Sequence, residues 1–326
     1  MHKMWTNYPQ LEKELAQVQK LMQESIKLKN PNVSQAILEM MNAGGKMLRP
    51  AYQLMFSNFG KKQDQRKKLS LAASVEMLHT ATLIHDDIVD MAATRRGVET
   101  IAHRFGNDVA VYAGDYLFAS VFKLMSRYST DMRVLQVNAR AMEKILSGEL
   151  GQMNMRYNLE QTVDNYVENI SGKTAELFAL SCFIGAYEAD SSKLVSKYAM
   201  DIGRNIGLAF QVIDDLLDYT VEENAFGKPV LEDMKQGVYS LPLLLALEEK
   251  KEELAPLLQK GLEMTDEDIE KVLAIMNQTQ AIERTKELAE SFTKKALNGI
   301  LRLPKTKENT REKLYEITKG ILMRKN

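Results

Sequence analysis

Two short acidic motifs carry the clearest chemistry in this 326-residue sequence. Asp86 begins one DDxxD motif and Asp214 begins another. Residues i and i+4 share a helix face, so each motif directs two carboxylates toward one point. Oxygen ligands of this kind suit Mg²⁺, which takes one or two carboxylates and completes its shell with water and phosphate. The predicted metal ligands are Asp86, Asp87, Asp90, Asp214, Asp215 and Asp218.

A solvated acidic face is the alternative interpretation of either motif alone. Both motifs, however, stand among apolar residues, with Ile88 inside the first and Ile213 beside the second. Burying carboxylates among apolar side chains is costly unless cations bind there. The two motifs together therefore favour a site that holds a diphosphate through Mg²⁺. Metal ions at such a site neutralise a departing diphosphate and let an allylic C–O bond ionise.

A second diphosphate would need cationic groups of its own. The segment 44–50 (GGKMLRP) offers glycines for close backbone approach, together with a lysine and an arginine. A histidine stands two helical turns before the first motif, and two adjacent arginines follow that motif. Each of these residues alone has an ordinary structural explanation, such as a helix-ending turn or a solvated basic turn. The predicted set is Lys46, Arg49, His79, Arg95 and Arg96, joined later in the chain by Lys173, Thr174, Gln211 and Lys228.

Composition narrows the class of protein further. The net charge is −1, from 43 basic and 44 acidic residues, so no basic surplus exists to neutralise a nucleic-acid backbone. The single Cys182 cannot form an internal disulfide, which favours a reducing cytoplasm. The N-terminus lacks the apolar run of a signal peptide, and the longest apolar stretch is too short to span a bilayer.

Helical periodicity dominates the pattern, and few prolines or glycines interrupt it. One predicted helix runs from Leu71 into the first acidic motif. Another places Ile206, Phe210, Ile213 and Leu217 on one face, at i, i+4, i+7 and i+11. Thr265 begins a capping box for a helix through about Met276. The pattern breaks at 91–97 and at 220–237, directly after each acidic motif. No β-hairpin is expected, and residues 1–326 are predicted to form a single domain.

In this order along the chain, the motifs resemble the trans-isoprenyl diphosphate synthase family, the polyprenyl synthetases, over nearly the whole sequence. The resemblance implies an all-α fold, an antiparallel helical bundle around a deep apolar pocket, normally dimeric. It also implies Mg²⁺-dependent condensation of isopentenyl diphosphate with an allylic diphosphate into all-trans polyprenyl diphosphates. The matching pieces are GGKMLRP (44–50), His79, HDDIVD (85–90), TRRG (94–97), GNDVAVYAGDYLFA (106–119), GEL (148–150), KTAELF (173–178), GLAFQVIDDLLD (207–218) and GKP (227–229).

The resemblance also implies a role for each residue. Asp86, Asp90 and Asp214 would be the principal Mg²⁺ ligands, supported by Asp87, Asp215 and Asp218. Isopentenyl diphosphate would be held by Lys46, Arg49, His79 and Arg96, and the allylic diphosphate by Arg95, Lys173 and Lys228. Thr174 and Gln211 would stabilise the allylic cation, and the departed diphosphate would remove the final proton.

The segment after the second acidic motif departs from the family pattern. Val238 stands where the family commonly has a lysine, and Leu231 where it commonly has a glycine. That change removes one phosphate contact. A residue other than lysine there also occurs in the larger, catalytic subunit of two-component heptaprenyl-type synthases, which the C-terminal third resembles as well. A heterodimer with a small regulatory subunit is therefore an alternative to a homodimer.

Product length depends on how soon the pocket is blocked below the first acidic motif. Short-chain members of the family often carry an aromatic residue four or five positions before its first aspartate. Here those positions hold Thr82 and Ala81, both small. We therefore expect products of geranylgeranyl length or longer, with Met77 and Leu78, one turn deeper, as the alternative residues that would cap the pocket.

Three rival functions can be weighed from the sequence. A class I terpene cyclase would ionise the same substrate, but it needs no second diphosphate site. The cations Lys46 and Arg49 and the Arg95–Arg96 pair therefore argue against it. A non-catalytic regulatory subunit would have lost acidic residues, whereas both motifs are intact. A catalytic subunit that is inactive without a small partner stays compatible with Val238.

Overall fold

The computed structural model describes residues 2–129, 131–220 and 233–323. The prediction of an all-α fold is confirmed. The helices, in chain order, are α1 (Pro9–Ser25), α2 (Pro31–Asn42), α3 (Leu48–Ser57), α4 (Gln65–Val89), α5 (Ile101–Phe105), α6 (Asn107–Tyr128), α7 (Met132–Asn154), α8 (Val163–Ile170), α9 (Glu176–Glu188), α10 (Lys193–Thr220), α11 (Leu241–Leu258), α12 (Asp266–Met276), α13 (Ala281–Leu301) and α14 (Thr310–Leu322). Short 3₁₀ turns occupy Lys3–Trp5 and Gly261–Glu263, and a π-helical turn occupies Ser171–Ala175.

The chain divides into two compact units. The first comprises Met1–Ala139, Leu180–Met200 and Pro304–Thr310, and the second comprises Arg140–Ala179, Asp201–Leu303 and Arg311–Asn326. A single domain over residues 1–326 stays a prediction.

In the first unit, α4 is the central helix and packs against α1, α3 and α6. Every residue from Lys68 to Leu78 is buried, so this stretch of the helix is enclosed on all sides. The helix begins after Asp64, whose side chain accepts a hydrogen bond from the backbone N–H of Lys67, and it ends at the first acidic motif. A helix enclosed in this way holds the residues at its end in fixed positions.

In the second unit, α11 packs against α8, α12 and α13, and Leu241–Leu247 is buried throughout. The predicted capping box is confirmed: Thr265 Oγ1 accepts from the Asp268 N–H, and Asp268 Oδ2 accepts from the Thr265 N–H. The helix ends at Met276, as expected. The long α10 carries the second acidic motif in its last two turns.

The expectation of no β-hairpin was wrong. Strands β1 (Thr94–Arg95) and β2 (Val98–Glu99) pair antiparallel within the predicted break after the first acidic motif. Arg96 and Gly97 form the turn, with φ values of 52° and 79°. Two adjacent positive φ values are typical of the type I′ turn that joins tight hairpins. Strands of two residues are too short to produce a visible alternation in the sequence.

Among the described helices, none combines the length and the apolar character needed to cross a bilayer. Cys182 is buried, as its apolar sequence neighbours indicate.

Candidate active site

The first acidic motif occupies the C-terminal end of α4, and Asp90 caps the helix. Its carboxylates differ in exposure: Asp86 is half-buried, Asp87 is buried and Asp90 is exposed. Arg95 Nε donates a hydrogen bond of 2.5 Å to Asp87 Oδ1, while Asp87 Oδ2 is buried without a hydrogen-bond partner. Burial raises the pKa of the Asp87 carboxyl, and Arg95 opposes that rise. The middle acid is therefore tied to the hairpin, whereas the last acid faces solvent.

The second acidic motif, near the C-terminal end of α10, repeats this order of exposure. Asp214 is half-buried, Asp215 is buried and Asp218 is exposed. Asp215 Oδ2 accepts from the Tyr166 hydroxyl at 2.7 Å, and Asp215 Oδ1 accepts from Gln211 Nε2 at 2.9 Å. Burial raises the pKa of Asp215 to about 6, although both hydrogen bonds favour the ionised form. Here too the middle acid is fixed by neighbours and the outer acids are more accessible.

Both motifs place carboxylates at the negative end of a helix dipole, where added negative charge is unfavourable unless a cation neutralises it. Within the described ranges, no three His, Cys, Asp or Glu side chains converge as a metal site made of protein ligands alone would require. Mg²⁺ needs only one or two carboxylates when phosphate and water supply the remaining ligands. The oxygen donors of each motif therefore fit a Mg²⁺ ion that arrives together with a diphosphate.

The basic loop 44–47 leads into α3 and belongs to the first unit. Gly44 has φ +80°, and Met47, the residue before α3, has φ 50°. The backbone oxygen of Lys46 accepts a hydrogen bond of 2.8 Å from the indole N–H of Trp5. At Gly45, an added Cβ would lie 2.9 Å from Nη1 of Arg96. The loop and the hairpin turn thus approach closely at a glycine, and two of the predicted cations, Lys46 and Arg96, lie in this neighbourhood.

His79, half-buried on α4, lines a small cavity of about 20 Å³ with Glu76, Arg95 and Arg96. Its pKa is lowered well below the ordinary value, by burial first and then by the fields of Arg49, Arg96 and Arg95. The imidazole is therefore neutral near pH 7, and one ring nitrogen can donate a hydrogen bond while the other accepts. The first unit thus brings four of the predicted substrate-binding residues into one electrostatic environment: Arg49, His79, Arg95 and Arg96.

The second unit brings Lys173, Thr174 and Gln211 together around a π-helical turn. Lys173 Nζ donates to Glu149 Oε2 and Gln152 Oε1, each at 3.0 Å. Thr174 Oγ1 donates to Gln211 Oε1 at 2.8 Å. Because Gln211 in turn donates to Asp215, the hydroxyl, the amide and the acid form one hydrogen-bonded chain. Single π-helical turns occur frequently at functional sites.

A cavity of about 180 Å³ in the second unit contains residues of this chain and of the acidic motif. Lys173, Gln211, Asp215 and Asp218 all line it. Val238, which stands where the resemblance leads us to expect a lysine, lines the same cavity.

Several residues around these groups were missed by sequence reasoning. Tyr166 bonds to Asp215 across 49 positions, which no local pattern indicates. The Thr162–Asn165 capping box could have placed the helix that carries Tyr166, but not its partner. Asp233, which lines the same cavity as Asp218, received no role from the sequence because it belongs to neither DDxxD motif. Lys228 and the GKP motif (227–229), together with Leu231, lie outside the described residues.

Comparison with known proteins gives consistent matches over most of the chain. Residues 30–279 match the polyprenyl synthetase family. The chain is 33% identical over 323 residues to heptaprenyl diphosphate synthase component 2 of Bacillus subtilis, covering 98% of this chain and 90% of that protein. It is 33% identical over 291 residues to octaprenyl diphosphate synthase of Escherichia coli, covering 84% and 90%.

Solved structures agree. A geranylgeranyl pyrophosphate synthase from Lactobacillus brevis superposes with a TM-score of 0.95 at 41% identity, covering 99% of both chains. Heptaprenyl diphosphate synthase from Staphylococcus aureus superposes with a TM-score of 0.90 at 31% identity, covering 97% of this chain and 99% of that one.

Proposed function

Since this chain belongs to the polyprenyl synthetase family and is a trans-prenyltransferase, we propose that it joins isopentenyl diphosphate to an allylic diphosphate in a Mg²⁺-dependent reaction. The proposed products are all-trans polyprenyl diphosphates of geranylgeranyl length or longer. The observation that carries the proposal is the repeated arrangement of the two acidic motifs. In each one a buried, hydrogen-bonded middle aspartate stands between two more accessible ones at a helix C-terminus.

The outer carboxylates of both motifs, Asp86, Asp90, Asp214 and Asp218, are the proposed Mg²⁺ ligands. When bound, Mg²⁺ would neutralise the leaving diphosphate and so favour ionisation of the allylic substrate. The inner aspartates, Asp87 and Asp215, support the helix ends through their hydrogen bonds.

Side chains of the protein complete the proposed chemistry. Arg95 and Lys173 would bind the allylic diphosphate together with Lys228; Arg95 uses one N–H for Asp87 and has four further donors for phosphate oxygens. The dipoles of Thr174 and Gln211 would stabilise the allylic cation, because their hydrogen bonds to each other and to Asp215 fix their orientation. Lys46, Arg49, His79 and Arg96 would bind isopentenyl diphosphate.

The experiment that tests the reaction uses the purified protein alone with Mg²⁺, isopentenyl diphosphate and farnesyl diphosphate, with products sized by chromatography. We expect a ladder that ends at one defined length. A matched pair of variants tests the metal ligands: Asp90→Asn should reduce kcat about 100-fold, as removal of one electrostatic stabiliser commonly does. Asp201→Asn, at an exposed aspartate earlier on α10, should leave kcat unchanged. Equal rates for the two variants would contradict the proposed ligand role.

A catalytic subunit that needs a small partner is the second candidate. It is favoured by the relative whose name is heptaprenyl diphosphate synthase component 2 and by the apolar Val238 in the second-unit cavity. Folded protein that binds inorganic pyrophosphate but does not elongate farnesyl diphosphate would support this candidate over the first.

For the assembly, we propose a homodimer formed through α6. Val111 and Phe122 are each 41% exposed, and Tyr112 is 75% exposed. Val111 and Phe122 are eleven residues apart, about three turns, and therefore share one face of the helix. Exposed apolar side chains on one face are typical of a subunit contact. A cytoplasmic location, which suits a lone buried thiol, likewise remains a proposal.

A further inference from the structure

Glu76 is a buried acid on α4 for which the proposed reaction has no use. It is 8% exposed, and its Oε2 atom is buried without a hydrogen-bond partner. The side chain lines the same small cavity as His79, Arg95 and Arg96. Burying an ionised carboxylate costs free energy unless nearby cations compensate its charge. The charged groups around Glu76 therefore indicate its role.

Two arginines from different elements supply that compensation. Burial raises the pKa of the Glu76 carboxyl, and the fields of Arg49 and then Arg96 oppose the rise. Arg49 lies in the first turn of α3, whereas Arg96 lies in the hairpin turn at φ 52°. The acid thus stands on the central helix of the unit, within the electrostatic reach of cations on two neighbouring elements.

Arg49 and Arg96 are both positively charged, and their guanidinium groups must keep a fixed arrangement to bind a diphosphate. Both guanidinium groups act on Glu76 as positive charges, so they repel each other, and long side chains lose a fixed arrangement readily because extended, solvated rotamers are available. Arg96 is confined on one side by Gly45, where an added Cβ would lie 2.9 Å from its Nη1. The negative charge of Glu76, which lines the same cavity, attracts the Arg96 guanidinium and favours a fixed position for it.

We propose that Glu76 is a positioning residue that holds Arg49 and Arg96 in place for the diphosphate of isopentenyl diphosphate. The inference rests on the proposed function, because it assumes that these arginines bind that substrate. A carboxylate near a bound diphosphate also repels it, so two effects oppose each other. We expect the positioning of the arginines to outweigh this repulsion, because Glu76 acts on Arg49 and Arg96 simultaneously.

The test compares the wild-type enzyme with Glu76→Gln, which keeps the size of the side chain and removes its charge. The expected result is a KM for isopentenyl diphosphate about 10-fold higher, with the KM for farnesyl diphosphate unchanged. Glu99→Gln, at an acid on β2 whose side chain is 48% exposed, is the matched control and should change neither value. An unchanged or lower KM for isopentenyl diphosphate in Glu76→Gln would overturn the proposal.

A binding measurement separates this inference from the proposed function. Calorimetric titration with inorganic pyrophosphate in the presence of a chelator does not depend on turnover or on Mg²⁺. Glu76→Gln should weaken that binding about 10-fold even if the wild-type protein elongates nothing. Equal affinity of the two proteins would refute the positioning role whatever the activity. If Glu76→Gln does not fold, Glu76→Asp, which keeps the charge at a shorter reach, should show the same selective loss in a smaller degree.

The pH dependence supplies a readout that a purely structural residue would not move. The groups facing Glu76 are His79 on its own helix, Arg49 on α3, and Arg95 and Arg96 on the hairpin. The arginines stay charged, and the lowered pKa of His79 keeps it neutral. As the pH falls through the raised pKa of Glu76, the wild type should come to resemble Glu76→Gln. The ratio of their pyrophosphate dissociation constants should therefore approach 1 in acid, and a ratio that is independent of pH would count against the proposal.

Discussion

The three aspartates of each acidic motif differ in burial and in hydrogen bonding. The middle residue, Asp87 or Asp215, is buried and accepts hydrogen bonds from neighbours that stand outside the motif. The outer residues keep part of their surface exposed. A carboxylate can serve as a metal ligand only if water and substrate reach it, so the division follows from burial. Arg95 and Tyr166, which donate hydrogen bonds to the middle acids, therefore belong to the candidate site together with the acids.

Asp215 should make the metal-free protein less stable at neutral pH. Its pKa is about 6 in the folded protein against an ordinary 3.8, so the folded state binds the proton more tightly than the unfolded state does. The free energy of unfolding should fall as the pH rises from about 4 through 6. A difference of about 2 pKa units corresponds to about 3 kcal/mol.

The measurement is denaturant unfolding of the wild type and of Asp215→Asn in a chelator at several pH values. The asparagine cannot ionise, and the Tyr166 hydroxyl can accept from its amide. Relative to the wild type, the variant should gain up to about 3 kcal/mol between pH 4 and pH 7, and the gain should then level off. A stability difference that does not change with pH would show that Asp215 does not titrate in this range.

At the scale of the elements, helix ends and close approaches fix the site. The π-helical turn Ser171–Ala175 places Thr174 against α10, where Gly207 allows the contact. An added Cβ on Gly207 would lie 2.5 Å from Cα of Ala175 and 3.2 Å from the ring of Phe178. A backbone atom cannot move aside as a flexible side chain can. The absence of a side chain at Gly207 is therefore what lets Gln211, one turn later, meet Thr174.

Gly207→Ala should destabilise the protein by about 1–3 kcal/mol, because the overlap outweighs the gain of roughly 1 kcal/mol in helix propensity. It should also lower kcat, because separation of the π-helical turn from α10 lengthens the hydrogen bond between Thr174 and Gln211. Gly320→Ala is the matched control: it too is a helical glycine, with nothing within 4 Å of the added Cβ. This control should stabilise by about 0.5–1 kcal/mol.

Thermal and denaturant unfolding with steady-state kinetics would measure both variants. A Gly207→Ala protein as stable and as active as the Gly320→Ala protein would show that the π-helical turn can shift without consequence.

At the scale of the whole molecule, the sequence predicts those elements whose formation depends on residues close together in the chain. The helices of both acidic motifs and the Thr265 capping box follow from periodicity and spacing of a few residues. The hairpin was missed because each strand has only two residues. The buried roles of Asp87 and Asp215 were missed because they depend on partners elsewhere in the fold. Asp215 and Tyr166, for example, are 49 positions apart.

In the proposed reaction, product length would be a property of the whole molecule, because it would depend on the space available along α4. Ala81, five residues before Asp86, is fully buried. A larger side chain at this position must therefore occupy space that neighbouring groups fill or that the growing product would use. Ala81→Phe should shorten the longest product in the chromatographic ladder. Overpacking should cost about 1–3 kcal/mol of stability.

Ala72→Phe separates the two effects. Ala72 is also fully buried, but it lies nine residues earlier, two and a half turns away, and therefore on the opposite face of α4. A phenylalanine at position 72 imposes a comparable packing cost but lies on the face of α4 opposite Ala81. The product ladder of this variant should therefore end at the wild-type length. If both variants shorten the product equally, general loss of packing controls its length. If Ala81→Phe leaves the length unchanged, the small residue before the first acidic motif does not set it.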